Sequence, residues 1–167
     1  MKHAGKRLEI ISNIVFIAVA LLLGVLAIRN QSRPDPSDEA AKFLLGKTVQ
    51  IPSLDFHASP VTVLLILSSR CGYCRESLPF YRVMSEKRKG KNIRVIAVFP
   101  GELEEGKHFL SDQGVVVDQI VQASFQDLSV PATPTVAVTD DHGTILRAWV
   151  GLLPDDKQKS VLRKLSL

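Results

Sequence analysis

Cys71 and Cys74 are the only cysteines among 167 residues, and only Gly72 and Tyr73 separate them. Two thiols this close cannot staple distant parts of a chain, which excludes a disulfide scaffold. They are either a reactive pair or half of a metal site. Two inert buried thiols is the blander reading, and it needs both to fall in one CxxC by chance. An apolar run precedes the pair and a stretch compatible with a helix follows it. On a first helical turn, residues three apart are neighbours, within the Cα separation of about 4.4–6.8 Å that a disulfide tolerates. Unpaired N–H groups and the helix dipole favour negative charge there, so Cys71 is expected to be the attacking thiolate and Cys74 the resolving thiol. Arg70 and Arg75 flank the motif and are expected to push the same way. A pair of this kind exchanges disulfides through a mixed-disulfide intermediate, in a direction that the spacing does not set.

The elements that must hold the pair follow from periodicity and punctuation. Residues 61–67 form an apolar, β-branched run interrupted only by Thr62, which predicts a strand buried on both faces. Residues 72–89 predict a helix closed by Gly90, its basic end suiting the dipole. Residues 93–99 predict a second buried strand, 102–113 a helix ending at Gly114, and 115–121 a further strand. Residues 135–139 and 144–150 read as a hairpin across Asp140-Asp141-His142-Gly143, and 154–165 as a last helix. Ahead of these, Asp35-Pro36 looks like a helix start, Gly46 like its end, and 48–51 like a short strand. Strands alternating with helices, then a hairpin and helix, predict an α/β sandwich with a mixed sheet.

The first 30 residues are of another kind. Residues 10–28 carry no charge, and from Ile14 onward all are apolar or glycine. As a helix they would reach about 28 Å, near the roughly 30 Å hydrocarbon core of a bilayer. Lys2, Lys6 and Arg7 precede them, so residues 1–9 are expected to be a cytoplasmic basic tail and the remainder to face the periplasm or cell exterior. Cleavage after Ala27 as a signal peptide competes with a retained anchor, and either route exports the domain. Residues 29–43 read as a linker and short helix, and 44–167 as the folded domain. The net charge of +4 divides evenly between residues 1–28 and the rest, with no basic stripe, which argues against nucleic acid as a partner.

Taken in order, the strand over 61–68, Cys71-Gly72-Tyr73-Cys74, Pro79, Thr133-Pro134-Thr135 and Gly151 resemble the thioredoxin superfamily. Within it the likeness is to the membrane-anchored extracytoplasmic branch called TlpA-like. The likeness spans about residues 44–167 and includes the helix–strand insertion over 102–121. It implies a thioredoxin-like three-layer sandwich preceded by one transmembrane helix. It also implies thiol–disulfide exchange with protein substrates, fed by a membrane electron-donor thiol protein, with no organic cofactor and no metal. The reductases of this branch that serve cytochrome c maturation make a reductant the expected direction. Pro134 matches the superfamily's cis-proline, Thr133 a position that tunes substrate release, and Tyr73 is expected at the active-site mouth against the partner. Pro79 matches a proline that bends the active-site helix.

The chain departs from the family at three places. Arg70 stands where many members have an aromatic, Leu65 where thioredoxin keeps a buried Asp, and Ser77 where some anchored reductases have a Glu. Glu76 is then the available candidate for a proton-relaying acid, against the simpler reading of a solvated charge. Two alternatives share the fold. Copper delivery typically uses CxxxC with a distant His, and His3, His57, His108 and His142 all lie away from ligand spacing to the CxxC. A thiol peroxidase would use Ser68 beside Cys71, but Leu64 stands where its proline belongs. A binding module would have little use for both cysteines. Phe56, Phe80, Tyr81, Phe99 and Trp149 are expected to pack in the core or its rim.

Overall fold

The computed structural model describes residue 13, residues 15–26 and residues 35–167. The chain divides into two compact units, Met1–Asp35 and Pro36–Leu167. In the first, residues 15–26 are helical with exposed side chains. No helix among the described residues is long and apolar enough to cross a membrane. The anchor expected over 10–28 lies partly outside the described residues. The basic tail 1–9 and the tether over 29–34 lie outside the described residues.

The second unit is built on five strands: β1 (Thr62–Ile66), β2 (Arg94–Phe99), β3 (Gln119–Gln122), β4 (Thr135–Thr139) and β5 (Ile145–Val150). Their order is β3-β2-β1-β4-β5. β1, β2 and β3 run parallel, whereas β4 is antiparallel to β1 and to β5. This is a thioredoxin-like α/β fold with a mixed sheet.

The alternation of a strand explains how one continuous apolar run serves two cores. Val63, Leu65 and Leu67 face one cluster with Val95, Ala97, Phe99, Val136 and Val138. Leu64 and Ile66 face the other with Ile96, Val98, Ala137 and Ile145. Such two-sided burial needs cover on both faces. Four side chains of β1, Val63 to Ile66, have no exposed surface, and burying each contributes about 1.5–3 kcal/mol. The strand that delivers the cysteines is thereby one of the best anchored segments of the molecule.

Helices α2 (Gly72–Glu76) and α3 (Leu78–Lys87) cover the first face together with α5 (Asp155–Lys164), through Cys74, Leu78, Tyr81, Met84 and Val161. Leu110 of α4 (Leu103–Ser111) joins the same cluster. The second face is covered by α1 (Pro36–Leu44), by Phe56 of a short 3₁₀ turn, and by irregular chain carrying Val49, Ile51, Leu54, Leu128 and Val130. The second helical layer is therefore mostly loop.

Four expectations need correction. Ala41 and Leu44 of α1 are buried in the second core, so the folded unit starts at Pro36 and not at residue 44. Residues 48–51 form no strand; Thr48 makes one bridge to Thr144, after which Val49 and Ile51 turn inward. The helix expected over 72–89 is two helices meeting at Ser77, because Pro79 has no N–H to bond back one turn. The strand expected over 115–121 is shorter and shifted. Val115 N–H bonds back to Leu110 to close α4, and Asp118 is drawn to Val95 N–H and the Arg88 guanidinium.

Candidate functional site

β1 ends beneath α2, and the turn between them sets out the two sulfurs. Cys71 is the N-cap of α2, with extended backbone at φ −89° and ψ 118°. Its Sγ accepts the Cys74 N–H at 3.3 Å, so the thiol sits where a capping oxygen would satisfy an orphan donor. Both cysteines are free thiols, which makes this the dithiol form. Cys71 is half-buried and Cys74 has no exposed surface. The pair is therefore asymmetric, with one sulfur at the rim and one inside.

The electrostatics follow that asymmetry. Burial alone would raise the Cys71 thiol, but hydrogen bonds from Cys74, Thr133 and the Cys74 and Tyr73 N–H groups outweigh it and hold Cys71 below the ordinary thiol value. Burial pushes Cys74 up to about 12, helped by the hydrogen bond and charge of Cys71 and opposed by the Ser68 N–H, whose nitrogen lies 3.5 Å from Cys74 Sγ. Neutral donors, the Cys74 and Thr133 side chains first and the helix-start amides after them, thus select which sulfur ionises. The flanking guanidiniums do not. Arg70 and Arg75 are exposed and are not among the groups acting on Cys71.

The structure brings the second expected segment to the same place. The Thr133–Pro134 peptide is cis, and the Thr133 carbonyl oxygen lies 3.4 Å from Cys71 Sγ, where it accepts from the thiol. Pro134 is buried and leads into β4, which pairs with β1 as Ile66 opposite Thr135. Gly151, with φ +86°, donates its N–H to the Pro134 carbonyl at 2.7 Å, so the start of β4 and the end of β5 are tied together here. Tyr73 is 59% exposed at the mouth, free to meet a partner. Glu76 is exposed and takes no part in the thiol environment.

Two features of the surroundings were not anticipated from the sequence. Tyr81 is 2% exposed; burial, then the charges of both cysteines, raise its phenol, while a bond with the Ser77 hydroxyl opposes them. Among the described residues, a tyrosine and no carboxylate is thus the titratable neighbour inside. Its position one turn after Ser77 could have suggested the contact, but an aromatic in an apolar helix reads first as packing. The second feature is a cavity of about 230 Å³ beside the motif, floored by Phe99 and Pro100 and rimmed by Arg70, Glu102 and Glu105. Ser69 donates to the Glu105 carboxylate at 2.7 Å, joining the loop before Cys71 to α4. Ser68 Oγ accepts the Arg70 N–H and so is committed to shaping this loop.

A model of the redoxin family matches residues 40–165, nearly the whole folded unit. The chain belongs to the redoxin family. No curated relative matches it by sequence. Among solved structures, this redoxin is similar to a Chlorobium tepidum protein assigned as the thiol:disulfide interchange protein DsbE. Identity is 28% and the TM-score 0.52, over 67% of this chain and 82% of the other. StoA from Bacillus subtilis shares the fold at 16% identity and TM-score 0.50, over 61% and 81% of the two chains. A thioredoxin assigned in Neisseria meningitidis does so at 20% identity and TM-score 0.55, over 71% and 89%. With Cys71 and Cys74 together at a helix start, this redoxin is a thiol–disulfide oxidoreductase of thioredoxin-like type.

Proposed function

We propose that this enzyme is a membrane-anchored, extracytoplasmic reductant of protein disulfides, acting as in cytochrome c maturation and recharged by a membrane thiol protein. The reductant direction follows the resemblance to the TlpA-like branch, and the exchange chemistry is carried by the lowered thiol of Cys71 at the rim. Its thiolate is held by a few neutral donors working against burial, with no cation among the groups acting on it. The Chlorobium tepidum protein, assigned as a thiol:disulfide interchange protein, supports exchange with protein disulfides. The uncharged run over 10–28 supports the anchor.

The cycle conserves electrons and protons. Cys71 thiolate attacks one sulfur of a substrate disulfide; that S–S bond breaks, and the departing substrate thiolate takes a proton from water. Cys74 then gives its proton to solvent or a buffer base and attacks Cys71 Sγ. The mixed disulfide breaks, and the second substrate sulfur leaves as a thiolate that takes a proton from water. Two electrons have passed to the substrate, and Cys71 and Cys74 are bridged. Thr133 and Pro134 supply the backbone against which the substrate chain lies, and Tyr73 flanks it.

Equilibration of the full chain with glutathione buffers tests the direction. A potential below about −200 mV is expected, and one near about −120 mV, where strong oxidants lie, would overturn the reductant reading. Labelling of Cys71 in intact cells by a membrane-impermeant maleimide tests the location, and a thiol reached only after lysis would place the domain inside.

A further inference from the structure

At the opposite end of β1 and β4 from the cysteines, two loops from distant parts of the sequence meet. One is the short 3₁₀ turn Phe56–Ala58 before β1, and the other is the hairpin turn joining β4 to β5. His57 comes from the first, Asp141 and His142 from the second. Their ligand atoms all lie within 4.8 Å of one another. The imidazoles stand edge to face with ring centroids 5.3 Å apart, and His142 Nδ1 is 3.8 Å from an Asp141 carboxylate oxygen.

The backbone beneath these side chains is fixed by other groups. Asp55 accepts the His57 N–H at 3.0 Å, and Asp140 accepts the His142 and Thr144 N–H groups at 2.9 and 2.8 Å. Buried Phe56 fits against Gly143, whose φ is +78°; a Cβ there would stand 2.7 Å from the Val49 carbonyl oxygen and 3.1 Å from the Phe56 ring. Glycine is required at that contact, and the two loops are consequently held in register. The donors themselves add little packing, since the side chains of His142 and Asp141 are 70% and 52% exposed. Folding therefore places two imidazoles and a carboxylate on a rigid base without using them.

We propose that His57, Asp141 and His142 form a divalent transition-metal site of zinc type. Two imidazole nitrogens and one carboxylate oxygen are the donor set that borderline metals prefer, and Zn–N and Zn–O distances of about 2.0–2.2 Å need only small rotations of exposed side chains. Three protein ligands leave open positions for water. The site stands one strand length from the CxxC, about 17 Å along β1, so it is separate from the thiol chemistry.

The test uses the full chain in detergent with Cys71 and Cys74 bridged, so that thiolates cannot ligate. Zn²⁺ is titrated at pH 7.4 in competition with a chromophoric chelator, and Co²⁺ is followed by its visible bands. One equivalent is expected, with His57→Ala and His142→Ala each weakening binding at least about tenfold and losing the Co²⁺ bands. Both variants should keep wild-type circular dichroism and disulfide turnover. Absence of a saturable equivalent, wild-type affinity in both histidine variants, or a stoichiometry of one metal per two chains would each overturn the site.

Discussion

Raising the pH on the reduced enzyme should accelerate the second half of its reaction far more than the first. Cys74 is lifted from 9.0 to about 12, so at pH 7 the thiolate fraction is thousandfold smaller than for an ordinary thiol. Only the thiolate attacks. Once Cys71 is locked in a mixed disulfide, its own contribution to that lift is gone, while burial, the largest contributor, remains. The resolving step should therefore gain close to tenfold per pH unit from about 6.5 to 9, with no plateau in between. Attack by Cys71, whose pKa is lowered, should respond more weakly over the same range. Stopped-flow mixing of the reduced enzyme with an aromatic disulfide separates the steps, because each releases one coloured thiolate. A second phase that levels off below pH 8 would mean that Cys74 is ionised far more readily than its surroundings allow. The assignment of roles to the two sulfurs would then be wrong.

Cys71→Ser should abolish insulin reduction, whereas Cys74→Ser should trap a mixed disulfide visible by mass spectrometry. The reduced enzyme should lose stability relative to the oxidised one as pH rises from 9 toward 12. Over that window folded Cys74 keeps a proton that the unfolded chain has released, so the unfolded state is favoured; urea titrations of both forms check the sign. Gly106→Ala should destabilise the fold by about 1–3 kcal/mol, as overpacking does. Its Cβ would meet the buried Phe99 ring at 2.8 Å, and urea midpoints measure the loss.

The order of elements was legible because β1, β2 and β4 are apolar runs bounded by plain stops. Gly46, Gly90, Gly114 and Gly143 all adopt positive φ at the ends of helices or in the hairpin turn, as their positions predict. The CxxC was legible because a helix start and two thiols at one-turn spacing leave little else to do. What escaped was decided by tertiary contact. Nothing local shows that Asp118 will serve Arg88 and Val95 and so delay β3, or that Ala41 and Leu44 belong to the main core. Charge near a motif was misleading too. Arg70 and Arg75 sit near Cys71 in sequence yet are exposed to solvent, and the ionised sulfur is left to neutral donors from Cys74, Thr133 and the backbone. His57 and His142 lie far apart in the chain, and tertiary contacts such as the packing of Phe56 on Gly143 make them neighbours.

β3 has only four residues, with glutamine at both ends, and it forms one outer border of the sheet. A border so short and polar gives a stray polypeptide little to zip onto. A redoxin that exchanges disulfides with protein substrates gains from this, because at this border it can hold a partner by its sulfur without recruiting it into its own sheet.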